Sequence, residues 1–213
     1  MIKEIKAKLS YAKKQAKQKQ IVLLVSAAYN FVWAICKILF GVFSFSYFFC
    51  VSGATTLLFG FIKRIYLKNN TNSDTSEKIG KSITIGILLI VSSALFTFYM
   101  GRLFFISEIK NYGLILSISI ATFSFAELGI SIYNFIQAKK SQDILLQTFR
   151  CYSISSSSFA IVFTQVALLS ATNSTNNSLN ALTGVVAGLF SILVGIYAIV
   201  KAIKTKNDII QNI

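Results

Sequence analysis

The chain contains no histidine and no proline, and only seven of its 213 residues are acidic. Without histidine there is no Ser-His-Asp triad, no imidazole metal ligand and no imidazole acid–base group. The seven carboxylates are spread along the whole chain, which leaves little from which to build a hydrolytic or hard-metal cluster. Without proline, a broken or kinked helix has to arise at glycine, at serine or threonine, or from tertiary strain. The three cysteines, Cys36, Cys50 and Cys151, form no CxxC or other ligand spacing and read as free buried thiols. Charged residues make up 13% of the chain, against about 25% in a soluble domain. That shortage argues against a water-soluble globule. With no nucleophile–base pair, metal cluster or phosphate loop in view, neither an enzyme nor a bound cofactor or metal is expected.

What the chain does have is apolar length. Hydrophobic residues reach 54%, mean hydropathy is +0.66, and phenylalanine alone contributes 19 residues. Six apolar stretches stand out, at about 21–43, 47–62, 82–101, 113–137, 152–171 and 181–200. About 20 apolar residues cross the roughly 30 Å of bilayer hydrocarbon, and Leu, Ile, Phe, Val and Ala mix without the strict alternation of barrel strands. The expected fold is all-α, a polytopic integral membrane bundle of six transmembrane helices. Its expected organisation is a basic amphipathic segment at 1–20, a six-helix transmembrane domain at 21–204 and a short tail at 205–213.

The basic residues orient it. Lys3, Lys6, Lys8, Lys13, Lys14, Lys17 and Lys19 precede span one. Lys63, Arg64, Lys68, Lys78 and Lys81 fall between spans two and three. Lys139, Lys140 and Arg150 follow span four, and Lys201, Lys204 and Lys206 follow span six, eighteen in all. The opposite side has Arg102 and Lys110, and Lys37 lies within span one. The positive-inside rule then places both termini in the cytoplasm of a multi-pass protein of the cell membrane. The same distribution accounts for the net charge of +14, so no nucleic-acid partner is expected.

In segment 1–20, Ile2, Ile5, Leu9, Ala12 and Ala16 recur at helical steps with lysines on the other faces. Two readings stand equally: a helix lying on anionic cytoplasmic lipid, and a basic tail that only sets topology. The long basic region and the absence of a small-residue cleavage site argue against a signal peptide.

Polar residues inside spans are costly, roughly 2.5–3.5 kcal/mol for a charge at mid-membrane, and normally face the bundle interior. Span one places Ala27, Asn30, Ala34, Lys37, Gly41 and Ser44 on one face, and span four places Ser124, Glu127, Ser131 and Asn134 on one face. The two spans run in opposite directions, and if they pack together Lys37 reaches Glu127 across a depth difference of roughly 9 Å. Otherwise Lys37 snorkels outwards and Glu127 sits protonated or wet. Span six carries a stripe of small residues, Ala181, Gly184, Gly188, Ser191, Gly195, Ala198 and Ala202. Such a stripe admits another backbone at close range. Either another span or a second subunit, in a homodimer or a mixed complex, satisfies it, and the intrachain contact is expected. Span five opens on Ser153, Ser155, Ser156, Ser157 and Ser158, read mainly as serines bonded back to their own helix.

Asn30, Lys37, Gly41, Ser44 and Ser46 follow the pattern N-x6-K-x3-G-x2-S-x-S, and Gly53 and Thr56 follow in Val51–Phe59. In these residues the chain resembles the membrane domain of the cation diffusion facilitator (CDF) transporters, which also have six spans with both termini inside. The resemblance implies a CDF-like bundle. It also places the family's metal pair on Thr55 and Phe59, with the partner pair on Arg150 and Ile154, or on Cys151 and Ser155. None of these forms a metal site, and the family's cytoplasmic C-terminal domain is not found after span six. The expectation is a transporter-type protein for a small ion or solute, not a zinc or manganese exporter. Asn30, Lys37, Glu127, Asn134 and Arg150 are its pathway or ion-pair candidates. The alternative is a non-transporting membrane scaffold or assembly subunit.

Overall fold

The structure, a computed structural model, describes residues 2–68, 74–106, 114–138, 143–172 and 177–211; side chains are described from residue 21 on, except 22, 23, 116, 134, 137 and 138. It consists of six helices: α1 (Ile2–Phe43), α2 (Tyr47–Leu67), α3 (Thr75–Arg102), α4 (Leu114–Ala138), α5 (Ile144–Ala171) and α6 (Asn177–Gln211). Each apolar stretch read from the sequence lies within one of them, the fourth from residue 114 on. Five helices are long and apolar enough to cross a membrane within the described residues, and α4 contributes a shorter apolar run, Ser117–Tyr133. The chain is therefore an all-α bundle compatible with a multi-pass integral membrane protein.

The helices outrun the apolar stretches mostly at their polar ends. α3 starts at Thr75 and takes in Lys78 and Lys81, while α5 starts at Ile144 and takes in Arg150. α6 continues to Gln211 through most of the segment expected to be a tail. Hydropathy marks only the part of a helix that meets lipid, whereas backbone hydrogen bonding carries the helix on into water.

Each helix pairs antiparallel with its neighbour in the hairpin α1–α2 or α4–α5. α3 lies along α6, and α5 touches α6 and α3. The α1–α2 reversal takes three residues. Phe45 adopts φ 49°, Ser46 N donates to Gly41 O at 2.8 Å, and Phe45 N donates to Val42 O at 3.3 Å. This is the left-handed helix stop that usually takes glycine. The short turn lets α2 lie directly against α1, and the contact is set by glycines. A Cβ on Gly53 would stand 2.6 Å from Ile38 Cγ1 and 3.0 Å from Ala34 O, and one on Gly41 would stand 2.6 Å from Cys50 Sγ.

Between lipid and a lipid-like interior the hydrophobic effect contributes little, so association rests on close packing and buried polar contacts. The aromatic centre supplies the packing. Phe59 meets Tyr152 edge-on at 5.4 Å, Phe96 meets Phe159 at 4.6 Å and Phe163 at 5.5 Å, and Phe48 meets Phe163 at 5.9 Å. These rings join α2, α3 and α5. At one end Asp143 holds two helix starts together. Its Oδ1 caps α5 by accepting from Leu145 N at 2.9 Å, and its Oδ2 accepts from Lys78 Nζ of α3 at 2.7 Å.

Candidate functional site

The face read on α1 is the face that is buried. Ala27, Asn30, Ala34, Lys37 and Gly41 all point inwards, and Lys37 is 5% exposed. Lys37 neither snorkels nor meets Glu127 in an ion pair. Its Nζ donates to Thr56 Oγ1 on α2 at 3.0 Å and sits 4.5 Å over the Phe163 ring of α5. Thr56 passes the bond on by donating to Ser52 O at 2.7 Å. Placement across the hairpin, with a hydroxyl at hand, satisfies the ammonium more cheaply than a stretch to the next helix pair.

A second buried ammonium lies lower on the same hairpin. Lys63 belongs to α2 and is 1% exposed, its Nζ donating to Ser26 Oγ at 2.7 Å and to Ser26 O at 3.5 Å. This corrects its assignment to the loop after span two. α2 runs on to Leu67, and Lys63 is buried within it, so it counts no longer among the cations exposed at that end.

Glu127 is also 5% exposed, flanked on α4 by buried Ser124 and Ser131. Its Oε1 accepts from Ser156 Oγ of α5 at 3.1 Å, and Ser131 Oγ donates to Ser156 Oγ at 3.2 Å. The serine run on α5 thus divides. Ser153, Ser157 and Ser158 donate back to carbonyls one turn earlier, while Ser156 serves the carboxylate. Asn134, the fourth member of the α4 stripe, has a side chain outside the described ones.

Between the two hairpins lie polar groups that the protein leaves open. Both amide atoms of Asn30, the Tyr29 and Tyr152 hydroxyls and Ser155 Oγ are buried without a hydrogen-bond partner. Asn30 is 1% exposed and Tyr152 fully buried. Tyr152 stands close to Asn30 on one side and Ser156 on the other, without reaching hydrogen-bond geometry at either. Glu127 lies within electrostatic reach of Tyr29, Tyr152, Lys37 and Lys63. These residues form one polar column from Ser26–Lys63 to Lys37–Thr56, roughly 16 Å along α1. Leaving such groups unpaired inside a protein costs about 1–3 kcal/mol each. α1 and α4 close over this region through rings, Trp33 on Phe123 at 4.1 Å and Tyr29 on Phe123 at 6.2 Å.

Other candidates fall elsewhere. Arg150 is not part of the column. It lies half-buried near the start of α5, its guanidinium 4.3 Å over the Phe135 ring. The whole α6 stripe, Ala181 to Ala202, is buried, and its glycines face α3. Gly184 lies on Met100, Gly188 on Thr97 and Gly195 on Ile90. The stripe is thus used within the chain. The positions matching a metal pair do not fit one. Thr55 Oγ1 donates to Ser52 O at 2.9 Å, and Phe59 is packed on Tyr152. Among the described residues no three Cys, Asp or Glu side chains converge.

Sequence reasoning missed Lys63, Ser26 and Tyr152. The signal for Lys63 was present: Gly53, Thr56, Gly60 and Lys63 step by three, four and three on α2 and are all buried, the same kind of stripe as on α1. Comparison with known families finds no family model that matches the chain, and comparison with curated proteins finds no match either.

Proposed function

We propose that this chain is a membrane transporter-type protein for a small ion or solute, with the column between α1–α2 and α4–α5 as its pathway. The observation that carries this reading is the amide of Asn30, buried without a hydrogen-bond partner beside Tyr152. Buried polar groups are normally paired, and this set lies between the two buried ammonium groups Lys37 and Lys63. Glu127 is the natural proton- or cation-responsive group, as the buried carboxylate of the column. Lys37 and Lys63 set two ammonium groups against that one carboxylate, which favours a small anionic or zwitterionic solute. Zinc and manganese are not the cargo, because the column offers hydroxyls, an amide and ammonium groups where those ions take thiolate, imidazole or clustered carboxylate.

The reading includes a divergent kinship with CDF membrane domains. It is supported by the positions shared in α1 and α2. Lys37 and Thr56, two of those positions, are bonded to each other, and Gly41 and Gly53 are the points of closest helix approach. It also includes a cell-membrane location with both termini cytoplasmic. Setting buried Lys63 aside leaves seventeen cations outside the apolar spans on that side against two, still a strong bias.

The test is electrogenic flux in proteoliposomes with small carboxylates, amino acids and alkali cations as substrates. Wild type should give transient currents with at least one of them, and Glu127→Gln and Asn30→Ala should abolish those currents while retaining the melting temperature to within a few degrees. If no member of the panel moves, or if the variants transport normally, the pathway assignment falls. A folded protein that moves nothing would then act as a membrane scaffold or assembly subunit.

A further inference from the structure

Arg150 takes no part in the column, yet its surroundings are built. Near the start of α5 a cavity of about 370 Å3 opens between α5 and α6, within the roughly 300–1,000 Å3 of small-molecule sites. Among the described residues, the two charged ones that line it, Arg150 and Lys201, are both cations, and no carboxylate lines it. Gln147, Thr148 and Tyr197 add polar atoms at its walls. The face of the Arg150 guanidinium rests on Phe135, while among the described residues its N–H groups have no hydrogen-bond or ion-pair partner. Lys201 Nζ leans on Tyr197, 3.4 Å from its hydroxyl and 5.6 Å from its ring centre. The nearest acid along α5, Asp143, is engaged by Lys78. Asp208 lies about two turns beyond Lys201 on α6.

Depth identifies the level at which this cavity lies. Arg150 is about 21 residues from the far end of α5 at Ala171, and Lys201 about 24 from the far end of α6 at Asn177, roughly 32 and 36 Å at helical rise. Both distances match one hydrocarbon thickness of roughly 30 Å, so the two cations stand where lipid phosphates lie. The apolar part of the lining, Ile154 and Ala198, lies on the membrane side of them. On the outside of α6, Tyr197, Val200 and Ile203 are exposed, a surface for acyl chains next to the opening.

We propose that this cavity binds a phosphate group, that of an anionic phospholipid headgroup at the membrane interface. The Arg150 fork accepts phosphate oxygens in bidentate fashion and Lys201 acts as a point charge beside it. Basic clefts between helices at this level are suited to anionic headgroups in general. The site is independent of the transport reading, since none of its residues lines the column.

The experiment is native mass spectrometry of the full chain released from nanodiscs of phosphatidylcholine with phosphatidylglycerol, counting retained lipid. Wild type should keep phosphatidylglycerol in preference to phosphatidylcholine, and Arg150→Gln with Lys201→Gln should lower that retention about tenfold. Lys204→Gln with Lys206→Gln, which removes the same charge outside the cavity, should lower it far less. Arg150→Lys with Lys201→Arg, which keeps both charges, should retain most of it and guards against loss through misfolding. A parallel arm adds inorganic phosphate to protein in pure phosphatidylcholine discs and reads the melting temperature. Stabilisation by phosphate that the Gln pair abolishes, without preferential lipid retention, would assign the site to a soluble phosphate compound and overturn the lipid source. Equal losses in the two Gln pairs, or no preference in wild type and no phosphate response, would overturn the site itself.

Discussion

Lys37 Nζ on α1 lies 3.0 Å from Thr56 Oγ1 on α2, so a charge in the middle of an apolar helix is held by a neutral hydroxyl within its own hairpin. The bond fixes what each partner is worth. Removing the hydroxyl with Thr56→Val leaves a buried ammonium with less solvation and should destabilise the protein by about 1.5–3 kcal/mol, the range for hydrogen bonds to charged groups. Lys37→Met removes charge and bond together while filling similar volume, and should be neutral or stabilising. In the double variant the Thr56→Val penalty should vanish. Thermal unfolding in detergent, followed by the fluorescence of Trp33, measures all three. A Thr56→Val protein as stable as wild type would mean that the bond does not hold the charge.

Separate hairpins also decide the outcome of charge exchange. Lys37 is satisfied by α2 and Glu127 by Ser156 of α5, and no ion pair links them. Lys37→Glu and Glu127→Lys should each lower expression of folded protein, and the double exchange should restore only a small part of it, because the two charges interact at a distance and form no ion pair. The neutral pair Lys37→Met with Glu127→Gln should fold. Recovery of most of the folded, monodisperse protein by the double exchange would show that the two charges do meet.

The architecture was legible in the sequence because hydropathy and helical periodicity report burial directly. Every residue of the α6 stripe from Ala181 to Ala202 is buried, as its spacing required. The partners of the charges were not legible. Thr56 and Ser156 are ordinary hydroxyls in apolar helices, and their bonds depend on helix rotations that spacing does not set. Lys63 was misplaced for a plainer reason: hydropathy ends span two at the first charge, whereas a helix tolerates a lysine once a serine on the neighbouring helix receives it.

That placement of Lys63 predicts its accessibility. In a variant with Cys36, Cys50 and Cys151 replaced by alanine, Cys introduced at Lys63 should resist a membrane-impermeant maleimide from both sides of the membrane. Cys at Lys68, which is exposed beyond the end of α2, should react, and only from the cytoplasmic side if the proposed orientation holds. Comparable labelling of positions 63 and 68 would place Lys63 in the loop.

The glycines where α3 and α6 meet differ in what they face, and the difference orders their tolerance of alanine. A Cβ on Gly188 would overlap Thr97 Oγ1 and stand 3.1 Å from Thr97 Cβ and 3.4 Å from Ser93 O. Thr97 yields little, since it is β-branched and its hydroxyl donates to Ser93 O at 2.7 Å. A Cβ on Gly101 of α3 would meet Val185 Cγ2 of α6 at 3.9 Å, an ordinary contact. Gly188→Ala should therefore cost about 1–3 kcal/mol, the usual range for overpacking, and Gly101→Ala clearly less. Adding Thr97→Ala to Gly188→Ala should return most of the loss, because it removes the atoms that collide. Melting temperatures in detergent order the set. Equal costs at the two glycines, or no recovery with Thr97→Ala, would mean that α6 does not lie on α3 in this register.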